Sequence, residues 1–92
     1  MKDTEKLTLM LMYLNGFKEN DSRFRQTETD AVMQSWKGYE FGVLDGLDSA
    51  ALIDQGSRRS KSAAISPAGV EQAKQLLAEY NLTDPWEADD NK

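Results

Sequence analysis

The chain contains neither cysteine nor histidine. The first absence excludes disulfides, thiolate nucleophiles and zinc fingers, and the second excludes every catalytic scheme built on imidazole. There are only two prolines, so few places forbid regular structure. No apolar run approaches the ~20 residues of a membrane span. The apolar stretch Leu7 to Leu14 is short, contains Thr8 and is followed by no small-residue cleavage site, so it does not read as a secretory signal. Cytoplasm is the expected compartment. An excess of positive charge is also missing. The net charge is −5, and residues 81–92 supply four acids against one lysine. Residues 1–80 hold ten Lys/Arg and twelve Asp/Glu, so the globular part is only mildly acidic. Ninety-two residues make one small domain with a modest core, which a partner subunit could help to stabilise.

What is present reads as a mainly helical α+β chain. Asp3 or Thr4 can cap a first helix running to Asn15-Gly16. Leu7, Met10, Leu11 and Leu14 form one stripe, and Leu9, Met12 and Tyr13 form a second. A helix apolar nearly all round is central or lies in a subunit interface, and here the expectation is partly interfacial. Residues 18–30 are polar except for Phe24 and read as a solvated loop with Phe24 pinned to the core. Residues 29–37 can form a short helix capped by Thr27 or Thr29, burying Val32, Met33 and Trp36. Gly38 would end it, and residues 39–51 would form the next helix on Phe41, Leu44 and Leu47. Two helices joined by a tight glycine-containing turn make a helix-turn-helix. Gly46, inside that second helix, costs ~1 kcal/mol relative to alanine or implies a close contact.

Residues 51–54 then read as a strand, 55–61 as a basic Gly/Ser turn and 62–65 as a second strand, a two-stranded wing. Ser66 as cap and Pro67 at the first helical position announce the last helix, with Val70, Ala73, Leu76, Leu77 and Tyr80 on one face. The expected fold is a winged helix-turn-helix with a two-stranded wing over residues 1–82, followed by a disordered acidic tail at 83–92.

The pattern Trp36-Lys37-Gly38-Tyr39, Phe41, Leu44, Leu47, Leu52-Ile53, Lys61-Ser62 and Ser66-x-x-Gly69 resembles a bacterial family of small stand-alone proteins described as a domain of unknown function. The likeness covers roughly residues 31–80 and the Leu-rich first helix. The Leu-Ile pair, basic turn and Ser-x-x-Gly are also similar to winged-helix repressors of the multiple-antibiotic-resistance and phenolic-acid-repressor type. The first resemblance implies a shape without an activity, and the second implies a fold shared by many regulators. The chain departs from the family pattern in the polar loop before Thr29, in Ser49-Ala50-Ala51 and in the acidic tail carrying Trp86.

A DNA-reading helix needs Arg, Lys, Asn or Gln to meet base edges. Residues 39–51 offer Glu40, Asp45, Asp48 and Ser49 instead, and carboxylates oppose phosphate docking. The plain reading of these acids is a solvated helix face. Arg58, Arg59 and Lys61 in the wing, with Lys37 before it, are the candidate DNA contacts, although such a turn also serves merely to solubilise a loop. Gly56 to Lys61-Ser62 is not a phosphate loop, because the second glycine, the spacing and the following helix are all wrong. Asp45, Asp48 and Asp54 are too few for a divalent-metal site. No pair of carboxylates is placed by the sequence in a cleft that would set them up for acid–base work. Trp36 and Tyr39 read first as core aromatics and second as a contact surface. The expectation is therefore a non-enzymatic interaction module without cofactor or metal, homodimeric through Leu9, Met12, Tyr13, Leu77 and Tyr80. An unidentified protein is its other expected partner, with no membrane contact. The alternative is a DNA-binding regulator that uses Lys37, Arg58, Arg59 and Lys61.

Overall fold

A computed structural model of the chain describes residues 1–19, 32–57 and 59–86. The elements in order are helix α1 (Asp3–Leu14), strands β1 (Phe17–Glu19) and β2 (Val32–Trp36), helix α2 (Phe41–Ser49), strands β3 (Ile53–Asp54) and β4 (Ser62–Ile65), and helix α3 (Pro67–Glu79). The strands form one antiparallel sheet in the order β1-β2-β4-β3. The fold is thus α+β, with three helices and a four-stranded sheet among the described residues.

Each helix shows why it begins and ends where it does. The Glu5 carboxylate reaches back to accept the Lys2 main-chain N–H at 2.9 Å, and Asp3 and Glu5 sit favourably in the first turn of α1. The cap is Lys2 itself, one residue before the expected Asp3 or Thr4. Gly16 follows because a Cβ there would lie 2.6 Å from the Gln34 carbonyl and 2.8 Å from that of Met12. The chain can pass so close to β2 only without a side chain. Ser66 caps α3 as expected: its hydroxyl accepts the Gly69 N–H at 2.9 Å and donates to the Ala51 carbonyl at 2.7 Å. One side chain therefore joins the end of α2 to the start of α3.

The core gathers Leu9, Met10, Met12 and Tyr13 of α1, Met33 of β2, Leu44 and Leu47 of α2, Ile53, Ala63 and Ile65 of the hairpin, and Ala73, Leu76 and Leu77 of α3. In β4 the alternation places Ala63 and Ile65 toward the helices, and register does the same for Ile53. The hairpin β3–β4 is present and β4 has the expected limits, but it is not a two-stranded wing: β3 is confined to Ile53–Asp54, and β4 also pairs with β2 inside the four-stranded sheet.

Three further expectations are corrected. Residues 32–36 are a strand, so the helix-turn-helix expected from a helix at 29–37 followed by one at 39–51 does not form. Val32, Met33 and Trp36 fit a helical stripe on paper, but the same five residues bury four successive side chains when paired on both sides, Phe17↔Gln34 toward β1 and Gln34↔Ala64 toward β4. A short apolar run does not distinguish the two by period alone, and tertiary pairing decides. The start of the expected 18–30 loop belongs to edge strand β1, while Phe24 lies outside the described residues. Residues 83–86, expected to begin a disordered tail, are instead held against α1: Trp86 packs on the core and donates its ring N–H to the Tyr13 carbonyl at 2.7 Å. Residues 87–92 lie outside the described residues.

Candidate functional site

The residues proposed from the sequence for a dimer interface are mostly internal. Leu9, Met12, Tyr13 and Leu77 are buried within the chain's own core, and only Tyr80 of that set is exposed. The second apolar stripe of α1, Leu9, Met12 and Tyr13, faces inward whole, whereas the first is split: Met10 is buried and Leu14 packs on the core, while Leu7 and Leu11 face solvent. A helix can fill a core with either stripe, and the packing of α1 against both β2 and α3 selects the one carrying Met12 and Tyr13.

The exposed aromatics lie elsewhere. Alternation along β2 turns Met33 toward the helices and Trp36 to the opposite face of the sheet. Phe17, opposite Gln34 in the register, shares that face, and its ring lies 4.9 Å from the Trp36 ring at an interplanar angle of 40°. Trp36 is nonetheless 60 % exposed. Its main-chain neighbour Lys37 extends the β2–β4 pairing by donating to the Lys61 carbonyl at 3.0 Å, which sets Lys37 opposite Lys61 at the same end of the sheet, on the face away from the indole. Arg59 follows in the exposed turn, and Arg58 lies outside the described residues. Of the four candidate DNA contacts, Lys37, Arg59 and Lys61 thus share one end of the sheet, with Trp36.

Around the corner is an open cleft of about 600 Å³, lined by Lys37, Phe41, Asp45, Asp48, Gln55, Gly56 and Ser57. Phe41, Asp45 and Asp48 occupy one stripe of α2 at i, i+4 and i+7. Phe41 is 75 % exposed, although the sequence places it on the buried face. The helical angles hold the missed signal. Phe41 lies about 20–40° around the axis from Asp48 and Asp45, but about 60–120° from the core residues Leu44 and Leu47.

Gln55 forms the cleft floor. Its main-chain N–H donates to Asp48 Oδ2 at 3.1 Å, and its side-chain amide donates to Asp45 Oδ1 at 3.0 Å and Asp48 Oδ2 at 3.4 Å. Lys37 lines the same cleft, its Nζ donating to the Ser57 carbonyl at 3.2 Å. Gly56, at φ 67°, makes the turn with its N–H on Asp54 Oδ1. Asp45 and Asp48 are therefore bridged by an amide, and no group of three or more metal-ligating side chains comes together among the described residues. Chemically, the surface offers two rings, a cleft and charges of both signs. No helix among the described residues is long and apolar enough to cross a membrane.

A family model described as a domain of unknown function, DUF6429, matches residues 1–83, and the chain belongs to that family. Neither the curated proteins nor the solved structures provide a match. The matched stretch contains the sheet, all three helices and the cleft, and it stops just before Asp84 and Trp86.

Proposed function

For this member of the family, we propose a non-enzymatic protein-interaction module whose contact surface comprises the exposed ring of Trp36, which stacks on Phe17, and the exposed ring of Phe41 in the cleft. The observation that carries this reading is the exposure of Trp36 and Phe41 on rigid elements, at the end of a central strand and the first turn of a helix. Large rings left in water forgo the free energy of burial, and a partner that covers them recovers it. Tryptophan is among the residues that dominate such contacts. The non-enzymatic reading is supported by the sequence, which has no imidazole or thiol to act as base or nucleophile.

Lys37, Lys61 and Arg59, at the same end of the sheet as Trp36, favour a second reading, nucleic-acid binding through the β3–β4 hairpin, with the indole stacking on a base. It is weakened by Asp45 and Asp48 in the adjoining cleft, which would repel phosphates. For self-association, a second copy would meet Leu7, Leu11 and Tyr80, because the other expected interface residues are buried.

The test is a Trp36→Ser/Phe41→Ser double variant, compared with wild type in affinity capture from extract of the source cells. Circular dichroism should show an unchanged fold, since both rings are exposed. The expected result is a partner retained by wild type and lost by the variant. Identical retention by both proteins would refute the reading. Anisotropy titrations with single-stranded and duplex oligonucleotides at low salt separate the second reading, which requires salt-sensitive binding that weakens on Lys61→Ala.

A further inference from the structure

We infer that the cleft between α2 and the β3–β4 turn receives a cationic side chain, arginine or lysine, from an extended segment of a protein partner. This rests on the interaction reading above and names the chemistry of the partner. Four observations converge on it.

First, Phe41, Asp45 and Asp48 line the cleft from one helical face, so a ring and two carboxylates confront the same space. A guanidinium or ammonium over the ring face, with a carboxylate one helical turn away, is the pairing that this spacing provides. Second, the helix that lines the cleft is acidic. Glu40 and α2 together carry three acids and no Lys or Arg. Asp48 falls in the last turn of α2, where the helix dipole disfavours negative charge. Third, the cation that lines the cleft among the described residues, Lys37, donates its Nζ to the Ser57 carbonyl, while the Asp45 carboxylate takes the Gln55 amide, a neutral donor. Fourth, the cleft volume of about 600 Å³ lies within the range of ~300–1,000 Å³ usual for ligand sites.

A peptide suits this arrangement better than a free amine. Trp36 lies outside the cleft lining, on the other face of the sheet, but stands one residue from Lys37, so an extended segment that rounds the end of β2 can place its cation against Phe41 and Asp45 and an apolar neighbour on Trp36. A nucleic acid has no cation to offer and would bring phosphates to Asp45 and Asp48.

The test uses the full chain and the blocked peptide acetyl-Gly-Arg-Leu-Arg-Gly-amide, followed by amide-resolved NMR at low salt. The same peptide with citrulline in place of arginine keeps the shape and removes the charge. Saturable shifts confined to residues 36–49 and 55–57 are expected for the arginine peptide. Binding should fall at least about fivefold with the citrulline peptide, with Asp45→Asn and with Phe41→Ala. Both substitutions are at exposed positions, and the retained amide spectrum reports the fold directly. Equal binding of the citrulline peptide, or an unaltered affinity in both variants, would overturn the inference, as would the absence of shifts in the cleft. A partner captured through Trp36 and Phe41 despite such a failure would leave the interaction reading standing and refute only the cationic chemistry.

Discussion

The Trp86 indole N–H donates to the main-chain carbonyl of Tyr13, 2.7 Å away across 73 positions of the sequence. The Tyr13 hydroxyl returns the link by donating to both oxygens of Asp84, at 2.9 and 3.0 Å. Asp84 in turn accepts the Trp86 N–H at 2.9 Å, and Lys18 Nζ lies 5.5 Å from the Trp86 ring centre. The segment after α3 thereby gives a second donor to a carbonyl at the end of α1 that also takes the Gly16 N–H at 3.4 Å. Tyr13→Phe should cost about 1.5–3 kcal/mol, because the Asp84 carboxylate loses its hydroxyl donor. Truncation after residue 83 should lower the melting temperature by several degrees. Thermal and urea unfolding check both, and unchanged midpoints would show that the strap contributes nothing.

The ends of α2 and α3 offer a matched pair. In each, the residue two positions past the last helical one adopts a left-handed backbone, Ala51 at φ 62° and Asn81 at φ 58°. The hydrogen bonds correspond: Leu52 N–H to Leu47 O and Leu82 N–H to Leu77 O, at 3.0 and 2.8 Å. Asparagine tolerates this conformation and alanine does not. Ala51→Gly should therefore stabilise the protein by about 0.5–1 kcal/mol, while Asn81→Ala should destabilise it, as measured by urea denaturation.

Two glycines should respond oppositely to alanine. A Cβ at Gly69 would overlap the Leu52 carbonyl, which is main chain and cannot move aside, and would lie 2.8 Å from Ile65. Gly69→Ala should cost about 1–3 kcal/mol. A Cβ at Gly46 would meet only the carboxylate end of Glu5, a flexible side chain. Gly46→Ala should be neutral or stabilising by up to ~1 kcal/mol, because helix propensity improves. Denaturant midpoints of the two variants check the contrast.

The two stripes of α1 should separate in the same way. Met12→Ala removes a fully buried side chain and should cost about 2–5 kcal/mol. Leu11→Ser changes an exposed one and should stay within about 0.5 kcal/mol of wild type. If Leu11→Ser alters the sedimentation coefficient, the outer stripe serves a second copy of the chain.

Much of this was legible in the sequence wherever a local rule acts alone. Ser66-Pro67 specifies the start of α3, and the Gly/Ser turn specifies the hairpin up to Ser62. Strand β2 was not legible, because Val32, Met33 and Trp36 satisfy a helical spacing too, and its partner β1 precedes it by a long polar stretch. The exposure of Phe41 could be read only by preferring its alignment with Asp45 and Asp48 over its nearness to Leu44. The strap escapes composition altogether: residues 83–92 are acidic and carry a proline, and the two donors that hold Asp84 and Trp86 in place belong to a tyrosine and an indole far apart in the chain.

The most direct measurement is hydrogen–deuterium exchange of the full chain, free and bound to the partner it captures. Protection on binding is expected at residues 36–41 and 55–57, around Trp36, Phe41 and the cleft. Protection confined to residues 7–11 and to Tyr80, with the surroundings of Trp36 and Phe41 unchanged, would contradict the assignment of those two rings as the contact surface.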